Sequence, residues 1–267
     1  MEYRLLGRTR EKISAIGMGT WRIGSYRGAD ERAAQVRALN RGVELGMNFI
    51  DTAEIYASGR SEEVVGEAVK EVRDQVFIAS KVAPGHLHHD DMIRACRASL
   101  RRLGTPYIDL YQVHWPDSSV PIKETMAAME ELVRDGSIRH IGVSNFNIKE
   151  TDDARAALAK NEIVSNQVEY SLSNRYVEPE ILPYCRKEKL TLIAYSPLVR
   201  GRISNTIPQD LLRKYNMTPA QIMLNWVTRD ERVVAIPKAA NIGHLEENAS
   251  SVSVRFTPAE YGILEGS

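Results

Sequence analysis

From about residue 47 onward, short runs rich in β-branched and aromatic residues alternate with amphipathic stretches, the pattern of parallel βαβ construction. Strands are expected at Ala15–Met18, Asn48–Ile50, Val76–Ser80, Ile108–Val113, His140–Val143, Ile163–Gln167, Thr191–Tyr195 and Val233–Ile236. Between them the apolar residues recur every three to four positions, as at Ile122, Met126, Met129 and Val133, which places four side chains on one helical face. Eight strands each followed by a helix make an α/β fold of the (β/α)8 TIM barrel type the economical reading; an open doubly wound sheet is the alternative. The first residues fall outside this repeat. Glu2–Leu6, a turn at Gly7–Glu11 and Lys12–Ala15 read as a short N-terminal β-hairpin that would close the lower end of the barrel. No linker or low-complexity tract interrupts the rest, so residues 1–267 are expected to form a single domain.

Composition narrows the partner. Lys plus Arg equals Asp plus Glu at 35 each, so no excess of positive charge points to nucleic acid and no acidic tail to a disordered binding region. A small molecule is the expected partner, with the protein a monomer or weak homo-oligomer. Apolar runs such as Leu190–Tyr195 are too short to span a bilayer, and Met1–Arg10 is charged with no apolar segment behind it, which predicts a cytoplasmic protein with no membrane partner. Cys96 and Cys185 lie on separate expected helices without metal-type spacing and read as packing residues.

In a barrel of this kind the reactive groups sit at the C-terminal ends of the strands, so a polar residue just past an apolar run is a candidate for chemistry. Asp51 follows Asn48–Ile50, with Tyr56 in the loop beyond; Lys81 follows Phe77–Ser80; His114 follows Leu110–Val113. These four should converge. Ser144 and Asn145, Asn166 and Gln167, Tyr195 and Ser196, and finally Lys238 would ring the same face.

These residues lie in segments that carry a resemblance: GMGTW (Gly17–Trp21), NFIDTAEIY (Asn48–Tyr56), the Lys81 of ASK, the His114 of YQVHW, GVSNF (Gly142–Phe146), then NQVEYS, AYSPL and IPK. In this order they resemble the aldo-keto reductase family, with the likeness running from about Gly17 to Asn248. The resemblance implies reduction of aldehydes or ketones to alcohols with a nicotinamide cofactor, and puts Asp51, Tyr56, Lys81 and His114 at the catalytic tetrad positions. The chemistry accounts for the set. Hydride arriving at a carbonyl carbon leaves charge on oxygen, which a donor must neutralise. Tyr56 would be that donor, and a cation beside its oxygen, Lys81, would lower its pKa. Asp51 would hold the ammonium, and His114 would orient the carbonyl.

The same resemblance implies that Ser144, Asn145 and Gln167 contact the carboxamide and that Tyr195 stacks on the nicotinamide. Gly19, Thr20 and Trp21 join the cofactor set. Ser196, Leu198 and Gly201 would lie over the pyrophosphate, with Arg200 and Arg202 adding positive charge. At the adenosine end, Ile236 and Lys238 belong to IPK, and Glu247 with Asn248 match the adenine-contacting pair. The sequence departs from the family pattern at the 2′-phosphate, where Ala239 replaces a hydroxyl residue and His244 replaces an arginine. That loss weakens the electrostatic case for NADP(H), which is still favoured, and leaves NAD(H) or dual use open. Trp21, Tyr56, His114 and Trp115 would line the substrate pocket. The sequence ends at Ser267, just after a helix-like TPAEYGILEG segment, so an open pocket suited to small aldehydes is expected.

Two other classes stay in view. One is a cofactor-binding redox sensor on the same fold. The other is a metal-dependent hydrolase suggested by His86, His88 and His89, for which a solvated turn is the simpler expectation because no metal is implied by their surroundings.

Overall fold

A computed structural model describes residues 1–201 and 207–266. Two strands, β1 (Tyr3–Leu5) and β2 (Lys12–Ser14), form the antiparallel hairpin. Eight parallel strands follow in sequence order: β3 (Met18–Gly19), β4 (Phe49–Asp51), β5 (Phe77–Val82), β6 (Ile108–Val113), β7 (Ile138–Ser144), β8 (Ile163–Glu169), β9 (Thr191–Tyr195) and β10 (Val233–Ala235). The seam between last and first closes through parallel bridges Ile16↔Ala235 and Gly19↔Lys238, supported by Gly17 N–H on the Ala235 carbonyl at 2.8 Å. This is the (β/α)8 barrel. The first strand is shorter than expected because Ala15–Gly17 pairs across the seam only through such isolated bridges. Gly19 has a reason to be glycine there: a Cβ would stand 2.5 Å from the Ile236 carbonyl oxygen.

The helices are α1 (Ala29–Glu44), α2 (Arg60–Val69), α3 (His89–Leu103), α4 (Ile122–Arg134), α5 (Ile148–Ala157), α6 (Ile181–Glu188), α7 (Gln209–Tyr215), α8 (Pro219–Val227), α9 (Ile242–Ser250) and α10 (Pro258–Glu265). The expectation of one helix per strand therefore needs correction: two helices lie between β9 and β10, and two follow β10. The local chemistry explains why. Thr218 and Thr257 each begin a helix with a capping box, to Gln221 and Glu260, and each is followed by a proline at the first helical position. The α7–α8 break sits at Asn216, which takes left-handed φ of 50°.

Strands β4, β5 and β6 are buried on both faces, which is why they read as near-continuous apolar runs. Period two sorts their side chains. Phe49, Phe77, Ala79, Leu110, Ile193 and Val234 fill the barrel interior, while Ile50, Ile78, Tyr111 and Ala235 pack outward against the helices. The next inward position above the apolar layer on each strand is then Asp51, Lys81, Gln112 or Tyr195. Leu6 and Ile13 of the hairpin belong to the interior cluster and plug its lower end. Asn48 holds the plug by accepting from Ser14 N at 2.7 Å and donating to the Lys12 carbonyl at 2.9 Å.

Candidate active site

Each strand of the mouth hands its polar residue on through backbone bonds that outlast the regular sheet. Thr52 N–H binds the Ala79 carbonyl at 2.8 Å, His114 N–H the Val82 carbonyl at 3.1 Å, and Asn145 N–H the Gln167 carbonyl at 2.9 Å. Asp51, Lys81 and His114 are buried, and Tyr56 is partly exposed on the turn that follows β4. The four converge as expected. Lys81 Nζ donates to Asp51 Oδ2 at 2.7 Å, to the Thr52 carbonyl at 3.0 Å and to the Tyr56 phenol oxygen at 3.3 Å. The His114 ring meets the Tyr56 ring edge-on, with centroids 5.8 Å apart at 76°.

The electrostatics differ from expectation at one point. Burial raises the Tyr56 pKa and outweighs Lys81, which pulls it down; Asp51 adds to the rise. In the protein alone the phenol therefore stays neutral well past pH 7, and the lysine offsets part of the burial effect instead of lowering the pKa outright. Burial works against the Lys81 charge too, but Asp51, followed by Tyr56, more than restores it, so its pKa ends raised and the ammonium persists. His114 moves the other way. Burial, with the Lys81 charge second, lowers its pKa to about 3, so its imidazole is neutral, and Nδ1 has no protein partner. Because Lys81 donates to the phenol oxygen, and the Tyr56 hydroxyl donates to no acceptor among the described residues, the phenol proton is free to be aimed at a ligand.

A second ring of amides surrounds the first. Gln167 Nε2 donates to Asp51 Oδ1 at 2.7 Å, so this residue, expected as a carboxamide contact, also holds the carboxylate from behind. Gln112 Nε2 stands 3.5 Å from the same oxygen. Sequence reasoning missed Gln112, although period two puts it on the same face as His114. Gly142 makes room for it, since a Cβ there would lie 2.9 Å from Gln112 Cγ and 2.6 Å from Ser165 Oγ. Ser144 Oγ donates to the Gln167 carbonyl at 2.9 Å, and Asn145 Nδ2 to the His114 carbonyl at 3.0 Å. Asn166 turns away, its Nδ2 on the Phe146 carbonyl at 2.8 Å.

A dinucleotide needs a flat face for its ring, amide partners and cations for its phosphates, and the residues present fit. The half-buried Tyr195 ring is held by its hydroxyl on Asn145 Oδ1 at 3.1 Å. Arg22 and Arg200 lie over the Trp21 ring at 4.5 and 5.4 Å, and no carboxylate pairs with either among the described residues. Arg22 escaped the sequence reading, although a cation directly after GTW was its signal. Lys238 is exposed, yet partial desolvation of its ammonium, with the Arg22 charge second, lowers its pKa. Ser196 and Arg200 take left-handed φ of 50° and 56°, while Leu198 is half-buried and Gly201 exposed beside them. Gly19, Thr20 and Ile236 are buried in the seam below. Arg202 lies outside the described residues. Ala239 is buried, His244 is exposed on the first turn of α9, Glu247 pairs with Thr218 and Asn248 is buried. Trp21 and Trp115 are 41% and 48% exposed, so neither is a core residue, and both are open to a ligand.

Cys96 and Cys185 are buried free thiols, pushed up to about 12 chiefly by burial. His86, His88 and His89 each turn to a different first partner, Glu54, Glu124 and Asp90, and no metal-binding cluster occurs among the described residues. Two clefts of about 220 and 390 Å³ open around Arg8 near the hairpin turn, away from this chemistry. No described helix is long and apolar enough to cross a membrane.

Residues 15–267 match the Aldo/keto reductase family. The chain belongs to that family. Within it, the chain is 41% identical over 259 residues to methylglyoxal reductase YeaE of Escherichia coli (strain K12), covering 95% of this chain and 90% of that protein. Aldo-keto reductase YhdN of Bacillus subtilis (strain 168) is 40% identical over 222 residues, 79% of this chain and 66% of its own length. Among solved structures, the thermostable aldo-keto reductase Tm1743, in complex with the inhibitor epalrestat, matches with a TM-score of 0.94 at 40% identity over 100% of this chain and 99% of that one. An aldo/keto reductase from Klebsiella pneumoniae, in complex with NADP and acetate, matches with a TM-score of 0.92 at 39% identity, covering 100% and 95%.

Proposed function

We propose that this family member reduces small aldehydes, 2-oxoaldehydes among them, with NADP(H), and that Asp51, Tyr56, Lys81 and His114 carry the proton chemistry. The observation behind the reading is the single ammonium that contacts both Asp51, at 2.7 Å, and the Tyr56 oxygen, at 3.3 Å, beneath a neutral imidazole. When bound, the nicotinamide supplies the hydride. Everything else falls to the chain. Tyr56 presents a neutral phenol, the protonation state that reduction requires, and gives its proton to the oxygen on which charge develops. Lys81, already donating to the phenol oxygen, stabilises the phenolate left behind, and Asp51, held by Gln167, keeps the lysine charged. His114 donates a hydrogen bond to the carbonyl as a neutral imidazole, which avoids a second buried cation beside Lys81.

Ser144 and Asn145 hold the carboxamide, and Tyr195 covers the ring and keeps water from the reacting face. Arg22 and Arg200, free of carboxylate partners among the described residues, attract the pyrophosphate; Lys238 meets the 2′-phosphate. The NADP complex of the Klebsiella pneumoniae relative favours NADP(H), and the name of the Escherichia coli relative favours 2-oxoaldehydes. Exposed Trp21 and Trp115 give the substrate an aromatic rim. A panel of methylglyoxal, glyceraldehyde, ketones and alcohols, followed by absorbance with NADPH and with NADH, tests the reading. Turnover fastest for the aldehydes with NADPH supports it. Cofactor binding without turnover of any carbonyl would favour a sensor instead.

A further inference from the structure

The turn that carries Tyr56 is strained. Ala57 (φ 49°, ψ 36°) and Ser58 (φ 56°, ψ 43°) both take left-handed backbone, and Gly59 follows at φ 89°. Neither alanine nor serine favours that region, so a tertiary contact must hold them there. Arg102, from the last turn of α3, lies directly against the turn: a Cβ on Gly59 would stand 2.6 Å from Arg102 Cδ. Its Nε donates to Glu62 Oε2 at 2.6 Å, and Nη2 to Ser99 Oγ at 3.1 Å. Glu62 sits in the first turn of α2, wholly buried, and its other oxygen accepts from Ser80 Oγ at 2.5 Å. Ser80 immediately precedes Lys81 on β5. One buried carboxylate therefore links the arginine under the Tyr56 turn to the strand that carries Lys81.

We propose that Glu62 and Arg102 are positioning residues that set the approach of Tyr56 to Lys81. The proposal rests on the reading of Tyr56 as proton donor. Neither residue touches the reacting groups, and a buried ion pair is a poor source of stability compared with apolar packing, because desolvation offsets most of the attraction. What this pair supplies is geometry. The Lys81–Tyr56 contact, 3.3 Å, is already at the long end of a hydrogen bond, so a small outward shift of the turn uncouples the two.

The test compares Glu62→Gln, Arg102→Met and Arg102→Lys with wild type and Tyr56→Phe, using methylglyoxal and NADPH. Displacing a reacting group by about 1 Å lowers turnover roughly a hundredfold, so Arg102→Met should lose about ten- to a hundredfold in kcat. NADPH affinity and the methylglyoxal KM should stay near wild type. The alkaline limb of kcat should move to higher pH as Tyr56 loses the influence of Lys81, and Arg102→Lys should recover most of both effects. Glu62→Gln keeps the size and the Ser80 contact, and should show the same signs more weakly; it decides the matter if Arg102→Met does not fold. Folded, NADPH-binding variants with unchanged kcat and pH profile would overturn the positioning role while Tyr56→Phe stays inactive. An active Tyr56→Phe would overturn the donor reading itself.

Discussion

Lys81 Nζ donates to the Tyr56 phenol oxygen at 3.3 Å while also donating to Asp51 at 2.7 Å, so one ammonium faces both a fixed carboxylate and a titratable phenol. The pKa of Tyr56 is raised by burial and restrained by this lysine. Lys81→Met removes the restraint, so the phenol should be still harder to ionise. The expected outcome is a large fall in kcat, of the order of 10²- to 10⁴-fold, with the alkaline limb of the residual rate moved to higher pH. A pH–rate profile of the variant checks it.

His114 makes a second pH prediction, with the opposite sense. Its pKa falls from 6.5 to about 3 on folding, so below pH 6.5 the unfolded chain binds a proton that the folded protein excludes. Stability should therefore fall as pH drops from about 6.5 towards 3, by up to about 1.4 kcal/mol per pH unit from this group. Denaturant unfolding of wild type and His114→Gln across that range measures it; the difference between the two curves should narrow as pH falls.

The proposed 2′-phosphate site keeps Lys238 of the family pattern but has His244 where the pattern has an arginine. Lys238→Met should weaken NADP(H) by about ten- to a hundredfold and leave NAD(H) nearly unaffected, because only one carries the 2′-phosphate. His244→Arg should tighten NADP(H) selectively by adding a fixed bidentate cation. Titrations of both variants with both cofactors check the pair of effects.

The sequence made the inward residues legible because period two and the strand ends constrain them together. Phe49 below Asp51 and Ala79 below Lys81 follow from alternation alone. The paired helices after β9 and β10 were less legible, since loop-to-helix boundaries rest on caps such as Thr218 and Thr257, which resemble ordinary turn residues until their Gln221 and Glu260 partners are seen. Gln112 and Arg22 went unnoticed because each sits beside a more conspicuous residue. The direction of the Tyr56 shift could not be read from residue types, because it is decided by how deeply the phenol is buried, a property of the folded turn.

The hairpin gives a prediction about stability. Arg4 is buried, and its guanidinium donates to the carbonyls of Thr228, Asp230 and Val233, joining the hairpin to the end of α8 and the start of β10. Arg4→Met removes a donor shared by three carbonyls, of which Thr228 keeps Arg255 Nη1 at 3.0 Å and Asp230 keeps Val233 N–H at 3.1 Å, and should lower stability by roughly 1–3 kcal/mol, with little change in kcat for the folded protein. Chemical denaturation alongside an activity assay separates the two.

Single-turnover reduction of methylglyoxal by the NADPH-loaded Tyr56→Phe variant tests the proposed proton delivery from the Tyr56 phenol most directly. NADPH binding should be close to wild type, because the proposed role sets the phenol against the substrate oxygen and not the dinucleotide. The rate of NADPH oxidation should fall by about 10²- to 10⁴-fold, the usual contribution of a general acid. A variant that binds NADPH and oxidises it at most of the wild-type single-turnover rate would contradict the account.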